Sequence, residues 1–368
     1  MRGFSDNQPM IVAYISLEKR VPPDHPLRKI KAMADQELKA LSRVFDKMYS
    51  PTGRPSIPPE RVLKALLLIT LYSVRSERQF CEQLDYNLLF RWFLDMELTD
   101  ESFDFSVFSK NRERLLEHEV GRLFFDAVIR QAREKGLTSD DHFTVDGTLL
   151  EAWASLKSFR PRGKDPSKRP DDGDPGNPTV DFHGEKRSNA THQSTTDPES
   201  RLLRKGRGQL AKLCYGAHAL MDNRHGLLVD FRITSASGTA EVEAAEAMLK
   251  RQARKGIFPR TLGGDKGYDR RRFVAMLRGR GIRAHIAENW ERRGGSAIDE
   301  RTTRHVGYQL SQRARKRVEE IFGWMKTIGG FRRTRYKGVL RTQLAGWFVA
   351  AAYNLLRMVK LHHQFART

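Results

Sequence analysis

The chain has 368 residues, of which 39% are hydrophobic and 30% are charged, and its formal net charge is +21. This length allows two or three domains with cores of their own. So large a positive charge is not typical of a metabolic enzyme, and it predicts a polyanionic partner, either a nucleic acid or an anionic membrane.

Three features of the sequence disfavour a membrane partner or secretion. The longest apolar run, residues 62–72, is too short to span a bilayer and contains Lys64. Residues 1–12 lack the apolar segment of a signal peptide. Cys81 and Cys214 lie far apart and suit neither a disulfide framework nor a zinc site, which fits a reducing compartment. We therefore expect a cytoplasmic protein whose partner is nucleic acid.

Residues 1–135 are predicted to be almost entirely helical. Apolar residues recur at helical spacing over 56–74 and over 99–134, and Ser76 is placed to cap a further helix. Short helices with basic faces suit DNA binding, and a plain helical bundle fits the same pattern equally well. We expect a domain that binds DNA or supports assembly.

The pattern changes after the helical region. A short β-type run, residues 142–145, ends at Asp146. Residues 157–209 are rich in Pro, Gly, Asp, Ser and Lys, a composition that predicts a flexible surface insert. Two strands joined by a turn are predicted over 211–237.

Strands and helices alternate in the remainder of the chain. A helix over 239–256, a short strand ending at Asp265, a helix capped by Asp269 and a further strand precede the last helices. This order predicts a ribonuclease-H-like catalytic domain over 136–368, with helices flanking a mixed sheet. The fold class is therefore predicted to be α/β, with an all-α domain in front of the catalytic domain.

Two aspartates stand out against this order. Asp146 ends the first predicted strand and Asp265 ends the fourth, and these strands are neighbours in such a sheet. Cutting a phosphodiester requires stabilisation of both the attacking and the leaving oxygen, and two Mg²⁺ ions held by carboxylates supply it. Taken singly, each residue also has a simpler explanation, an Asp-Gly turn for Asp146 and a cap for Asp265.

A third carboxylate comes from the stretch RKRVEEIFGWMKTIGGFRR, which begins at Arg315 and is predicted to be one amphipathic helix. Unrolled at 100° per residue, its apolar face consists of Val318, Ile321, Phe322, Met325 and Ile328. Glu319 lies on the flank of this face, in line with Arg315 and Lys326. Glu320 points away from it, toward Lys316. On this helix alone, a solvated ion pair is the favoured explanation of Glu319, and the wall of a site is the alternative.

The positive charge is concentrated around these glutamates. Residues 301–341 hold twelve Lys and Arg against two acids, and the run FRRTRYKG within them interleaves cations with aromatic rings. Such a run fits contact with a DNA backbone, and a solvated basic loop is the alternative. The candidates for phosphate contact are Arg315, Lys326, Arg332, Arg333, Arg335 and Lys337. Trp290 either stacks on an unpaired base or serves packing.

The sequence resembles the bacterial insertion-sequence transposases of the Asp-Asp-Glu type, in the broad group that includes insertion sequence 5. Residues 53–94 are similar to the N-terminal helical domain of that group, and FTVDGTLLEAWAS and LGGDKGYD are similar to blocks of its catalytic domain. The family's C-terminal pattern is Tyr-x2-Arg-x3-Glu-x6-Lys, which Arg315, Glu319 and Lys326 fit. Its Tyr position is occupied by Gln312, so the contact made by that Tyr is not carried over.

The resemblance implies a nucleoid-associated transposase that binds the terminal inverted repeats of its element as a dimer or higher oligomer. It implies Mg²⁺, with Mn²⁺ able to substitute, at Asp146, Asp265 and Glu319. The implied reaction is hydrolysis that exposes a 3′-OH end, followed by transesterification into target DNA. The alternatives are a ribonuclease-H-like metal-dependent nuclease without strand transfer and a non-catalytic DNA-binding regulator.

Overall fold

The chain folds into an N-terminal helical region followed by a mixed sheet with helices on both faces. The computed structural model describes residues 14, 16–50, 52–53, 55–162, 181–182, 185–204, 206 and 208–365. The helices of the first region are α1 (Leu17–Arg20), α2 (Pro26–Ala40), α3 (Ser42–Met48), α4 (Pro59–Leu71), α5 (Glu77–Tyr86), α6 (Leu88–Phe93), α7 (Ser106–Glu117) and α8 (Val120–Glu134). Ser76 caps α5 as predicted, because its hydroxyl accepts a hydrogen bond from the Gln79 backbone N–H at 3.0 Å. The prediction of an all-α N-terminal region is confirmed.

The second part of the chain contains the strands and six further helices of the described residues. Its strands are β1 (His142–Glu151), β2 (Phe159–Pro161), β3 (Asp181–Phe182), β4 (Glu185–Lys186), β5 (His192–Ser194), β6 (Arg201–Leu203), β7 (Lys212–Asp222), β8 (Leu227–Ser235), β9 (Thr261–Gly264) and β10 (Arg283–Ile286). Its helices are α9 (Ala240–Ala253), α10 (Arg271–Gly279), α11 (Glu300–Thr303), α12 (Val306–Ala314), α13 (Arg317–Thr327) and α14 (Val339–Phe365). Within the described ranges, no helix is both long and apolar enough to cross a bilayer.

The central sheet has the strand order β10-β9-β1-β7, and both β8 and β6 pair with the outer edge of β7. β1 is antiparallel to β7 and parallel to β9, and β10 is parallel to β9. The strands that carry Asp146 and precede Asp265 are therefore neighbours, as predicted. A mixed sheet in this order with helices on both faces is ribonuclease-H-like, so the predicted fold class is confirmed.

Each face of the sheet has its own apolar core. On one face, Phe143 and Val145 of β1 pack with residues of α9 and α10 such as Met248 and Phe273. On the other face, the core continues from the sheet through α13 and α14 into the helices of the N-terminal region. The helical region and the sheet thus share one core, and α14 joins them.

Helix α14 also covers the free edge of β8. The side-chain amide of Asn354 accepts from the Leu228 backbone N–H and donates to the Leu228 carbonyl, both at 2.9 Å. Gln343 accepts from the Ile233 backbone N–H at 2.6 Å and donates to the Phe231 carbonyl at 3.4 Å. Unpaired backbone groups at a sheet edge can pair with another chain. The side-chain amides of Asn354 and Gln343 therefore bind the backbone groups of β8 that a further strand would otherwise bind.

The described parts of the segment expected to be a flexible insert, residues 157–209, are folded. β2 pairs with β5, and β6 joins the central sheet through β7. Asp197 is 1% exposed and accepts hydrogen bonds from the Tyr215 hydroxyl at 2.6 Å and the Gly338 N–H at 3.2 Å. Paired polar groups here replace the apolar burial that the composition lacks, which is why composition alone suggested flexibility. The middle of the expected insert, residues 163–180, lies outside the described residues.

Candidate active site

Asp146 lies in the middle of β1 and not at its end. The strand was expected to end at Asp146 but continues to Glu151, because residues 147–151 pair with residues 214–218 of β7. The predicted strand end is therefore wrong, and the Asp-Gly turn that offered a simpler explanation is not formed. Asp146 is half-buried, and its Oδ1 accepts from the Gly147 N–H at 2.8 Å.

Asp265 directly follows β9 and lies level with Asp146. Gly263 pairs with Thr144 in the parallel register, so each aspartate is two residues beyond this pair on adjacent strands. Asp265 Oδ1 accepts from the Gly267 N–H at 2.9 Å. The prediction that these two strands are neighbours is confirmed, although only Asp265 lies at a strand end.

Asp269, the neighbouring acid, does not cap α10 as predicted. The N-cap of α10 is Arg270, and it makes no side-chain cap. The carboxylate of Asp269 is buried and accepts from the backbone N–H groups of Asn289 and Ala297 and from the Ser296 hydroxyl. Asp269 thus organises the loop after β10, and its oxygens are occupied.

The surroundings of Asp146 disfavour the charged form of its carboxyl group. Burial raises the pKa of Asp146 to about 7, and the negative charges of Asp265 and Glu241 add to this rise. The Gly147 N–H and the guanidinium of Arg315 oppose it. A carboxyl group with so high a pKa holds its proton near neutral pH more tightly than an ordinary aspartate, and a divalent cation that binds there would displace that proton.

Glu241, in the first turn of α9, was not identified from the sequence. Glu241 is exposed to solvent, but partial desolvation of its carboxyl raises the pKa of that group, and the charge of Asp265 raises it further. A Cβ at Gly147 would lie 3.1 Å from Glu241 Oε1, so this carboxylate stands directly over the residue after Asp146. Glu243 lies in the same turn, and nothing in the sequence distinguishes the two glutamates.

Glu319 lies exposed on α13, which is shorter than the predicted helix. Four of the five residues assigned to its apolar face are buried, and Ile328 is partly exposed. The predicted continuous helix is wrong at its start: α12 ends at Ala314, and Arg315 lies in the junction before α13. Glu320 lies on the side of α13 that faces α14. Burial raises the pKa of Tyr353 on α14 to about 12, and the nearby charge of Glu320 contributes to this rise.

Gln312, at the family's Tyr position, connects β10 to Arg315. Its amide donates to the His285 carbonyl at 2.6 Å and accepts from Arg315 Nε at 3.2 Å. Lys326, seven residues after Glu319, donates to the Thr148 hydroxyl on β1. Lys326 therefore contacts the strand that carries Asp146, and the charge of Arg315 acts on that aspartate through space.

Two family models match separate parts of this chain. Residues 179–355 match the model of the transposase DDE domain, and residues 15–114 match that of a transposase domain designated DUF772. Together they span about three quarters of the chain. The chain is a transposase of the DDE kind. Asp265 and Glu319 fall inside the matched DDE range, whereas Asp146 precedes it.

This transposase shows little similarity to curated proteins or to solved structures. A search of the curated proteins found no match. Similar solved structures include a pre-cleavage Mos1 transpososome, 10% identical with a TM-score of 0.20, covering 84% of this chain and 82% of that one. A Mos1 transposase paired-end complex with the left transposon end is 11% identical, with a TM-score of 0.21, covering 83% and 82%. A Mos1 mariner paired-end complex with Mn is 10% identical, with a TM-score of 0.19, covering 88% and 85%. These chains superpose poorly on the transposase.

The basic loop of the transposase, residues 331–338, is partly engaged with its own chain. Arg333 donates to the carbonyls of Ala152 and Trp153, and its guanidinium lies 5.4 Å from the Trp153 ring centre. Arg335 donates to the Val74 carbonyl at 3.0 Å. These two cations, predicted to contact phosphates, therefore already fasten the loop to β1 and to the helical region.

Two other cations that were predicted to contact phosphates are accessible to solvent. Arg332 and Lys337 are exposed on the same loop. Trp290, which follows β10, is 70% exposed, so the packing role considered for it is not what the structure shows.

The donors around Asp146 suit a hard divalent ion, and transposases with a DDE domain use divalent metal ions. The carboxylate oxygens of Asp146 and Asp265 are ligands of the kind that Mg²⁺ and Mn²⁺ accept, and a cation would offset their repulsion from each other and from Glu241. Among the described residues, no three or more His, Cys, Asp and Glu side chains are close enough to enclose an ion. Water and substrate phosphate would complete its coordination.

Proposed function

We propose that this transposase binds the terminal inverted repeats of an insertion sequence of the insertion sequence 5 group and cuts and joins DNA in the bacterial cytoplasm. Hydrolysis of one strand exposes a 3′-OH, which then attacks target DNA by transesterification. The observation that carries this proposal is that Asp146 in β1 and Asp265, directly after the adjacent parallel strand β9, lie level with each other. A dimer or higher oligomer on DNA would hold two element ends together.

Three carboxylates are assigned to the metal in this proposal: Asp146, Asp265 and Glu319. When Mg²⁺ or Mn²⁺ is bound there, it stabilises the attacking and leaving oxygens of the displacement. Arg315 and Lys326 lie beside β1, where they are placed to hold the phosphates of the strand being cut. Gln312 positions Arg315 through the hydrogen bond to its Nε.

The test is an assay of the purified full-length transposase with labelled element ends, plasmid target DNA and Mg²⁺ or Mn²⁺. We expect nicked ends with a free 3′-OH and joined products on a denaturing gel. Nicking without joining would favour a metal-dependent nuclease. Tight binding of the ends with no cleavage in either metal would favour a non-catalytic regulator.

The basic loop provides a prediction about affinity. Replacing Arg332 and Lys337 together by Ala should flatten the slope of log K against log salt by about two, because each phosphate contact on duplex DNA contributes about −0.9. Binding should weaken equally for element ends and unrelated DNA, since phosphate contacts carry little sequence information. Fluorescence anisotropy over a salt series measures both quantities.

The matched control replaces two exposed cations elsewhere by Ala. These are Lys250, in the last turn of α9, and Arg254, the C-cap of that helix. That variant should keep the slope of the unaltered protein. An unchanged slope for the loop variant would show that the loop does not contact phosphates. A loss confined to element ends would place sequence readout in the loop instead of the helical region, to which we assign it.

A further inference from the structure

Glu241 lies between the two segments that carry the aspartates. A Cβ built on Gly147 would lie 3.1 Å from both Cγ and Oε1 of Glu241. A Cβ built on Gly267 would lie 3.4 Å from Glu241 Oε2 and 3.0 Å from Asp265 Oδ1. The absence of side chains at Gly147 and Gly267 therefore lets the carboxylate of Glu241 approach both the middle of β1 and the turn after β9.

The charges in this region are unbalanced. Besides burial, the negative charges of Asp265 and Glu241 raise the pKa of Asp146, and the charge of Asp265 raises the pKa of Glu241. Arg315 and Arg270 act on this group only through space, and Glu241 forms no salt bridge with the other described residues. Three carboxylates in one electrostatic environment repel one another, and a divalent cation removes that cost.

Two buried polar atoms beside this group are without partners. His218 is 2% exposed, and its Nε2 is paired with the Thr234 hydroxyl at 2.9 Å. Its Nδ1 has no hydrogen-bond partner and would lie 3.1 Å from a Cβ on Gly147, the same distance as Glu241 Oε1. The hydroxyl of Tyr268 is also buried and unpaired. Burial raises its pKa, and the charges of all three acids raise it further.

Buried polar atoms are nearly always hydrogen-bonded in folded proteins, to water where no protein group is available. His218 Nδ1 and the Tyr268 hydroxyl are therefore placed to bind ordered water next to the carboxylates. Mg²⁺ keeps several of its waters when it binds to protein, and acids that bind those waters strengthen its binding. This geometry suits a carboxylate that acts on the ion through water.

We propose that Glu241 is a further acid of the transposase metal site, which binds the water shell of a divalent ion held by Asp146 and Asp265. This inference rests on the proposed function, because that function places the ion at the two aspartates. Glu241 is a positioning residue in this scheme, with His218 and Tyr268 binding the same water. It acts in the DNA-free protein, in which Glu241 and Glu319 are both exposed to solvent.

The experiment is calorimetric titration of Mn²⁺ into the full-length, DNA-free protein. Glu241→Gln should weaken Mn²⁺ binding about tenfold, the usual effect of removing a partner from the second shell of a metal. Glu243→Gln is the matched control, since it removes an equal charge from the same turn of α9. Its affinity should stay within about twofold of the unaltered protein, a difference that corresponds to well under 1.4 kcal/mol.

Asp146→Asn separates failure of the inference from failure of the proposed function. If Asp146→Asn weakens Mn²⁺ binding while Glu241→Gln and Glu243→Gln behave alike, only the role of Glu241 is overturned. If Asp146→Asn has no effect on Mn²⁺ binding, the ion is not held there and both proposals fail. Thermal unfolding in chelator provides the structural check, because a lower midpoint for Glu241→Gln alone would show a structural role and overturn the inference.

Discussion

Asp146→Asn and Asp265→Asn are each expected to reduce cleavage of element ends by about 10³-fold while leaving binding of those ends within a few-fold. A carboxylate that holds a divalent ion supports several kcal/mol of transition-state stabilisation, and each 1.36 kcal/mol corresponds to a factor of ten. Asn keeps the size of the side chain but removes the charge that the ion requires. Single-turnover cleavage and a gel-shift titration measure the two effects separately.

The two glutamates of α13 provide the matched pair for this prediction. Glu319→Gln should abolish cleavage like the aspartate variants, because Glu319 fits the family pattern with Arg315 and Lys326. Glu320→Gln should keep most of the activity, because Glu320 lies toward Tyr353 of α14. An inactive Glu320→Gln together with an active Glu319→Gln would show that the wrong glutamate has been assigned.

Asn354→Ala is expected to lower the free energy of unfolding by about 3 kcal/mol. The substitution leaves both the N–H and the carbonyl of Leu228 without a partner, and each buried unsatisfied group costs about 1–3 kcal/mol. Asn354 is fully buried, so water does not replace its amide. Urea denaturation followed by circular dichroism measures the change.

Gln343→Ala is the comparison for Asn354→Ala, because Gln343 makes the same kind of contact from a half-buried position. Water can reach the groups that it leaves, so the expected loss is about 1 kcal/mol. If both variants lose less than this, the amides of α14 do not secure β8, and the packing of α14 carries the contact instead.

Local pattern was sufficient for the features that depend on neighbours in sequence. The 3.6-residue period identified the buried side of α13, because Val318 and Ile321 are close in the chain as well as in space. The order of strands and helices was sufficient to place β1 beside β9, since few topologies accept that order. It did not reveal that β1 runs through Asp146, because pairing with β7 extends the strand.

Contacts between distant segments explain the remaining differences. Arg333 and Arg335 looked like phosphate ligands from local charge, but their carbonyl partners belong to segments more than 150 residues away in the chain. Local pattern did not identify Glu241 either, because the two glycines that admit its carboxylate lie in distant segments, one within β1 and one after β9. Charge and spacing indicate that a residue is available for a role, and only the fold decides which partner it meets.

Helix α14 has a consequence for how the protein is made. It is translated about 200 residues after α8, with which it packs, and about 100 residues after β8. While the ribosome is still producing α14, the helices already synthesised lack their central partner, and the backbone of β8 has nothing to bind at its outer edge. Such an edge pairs readily with other nascent chains. A transcript that stops before α14 would therefore yield an aggregation-prone polypeptide and not a smaller working enzyme.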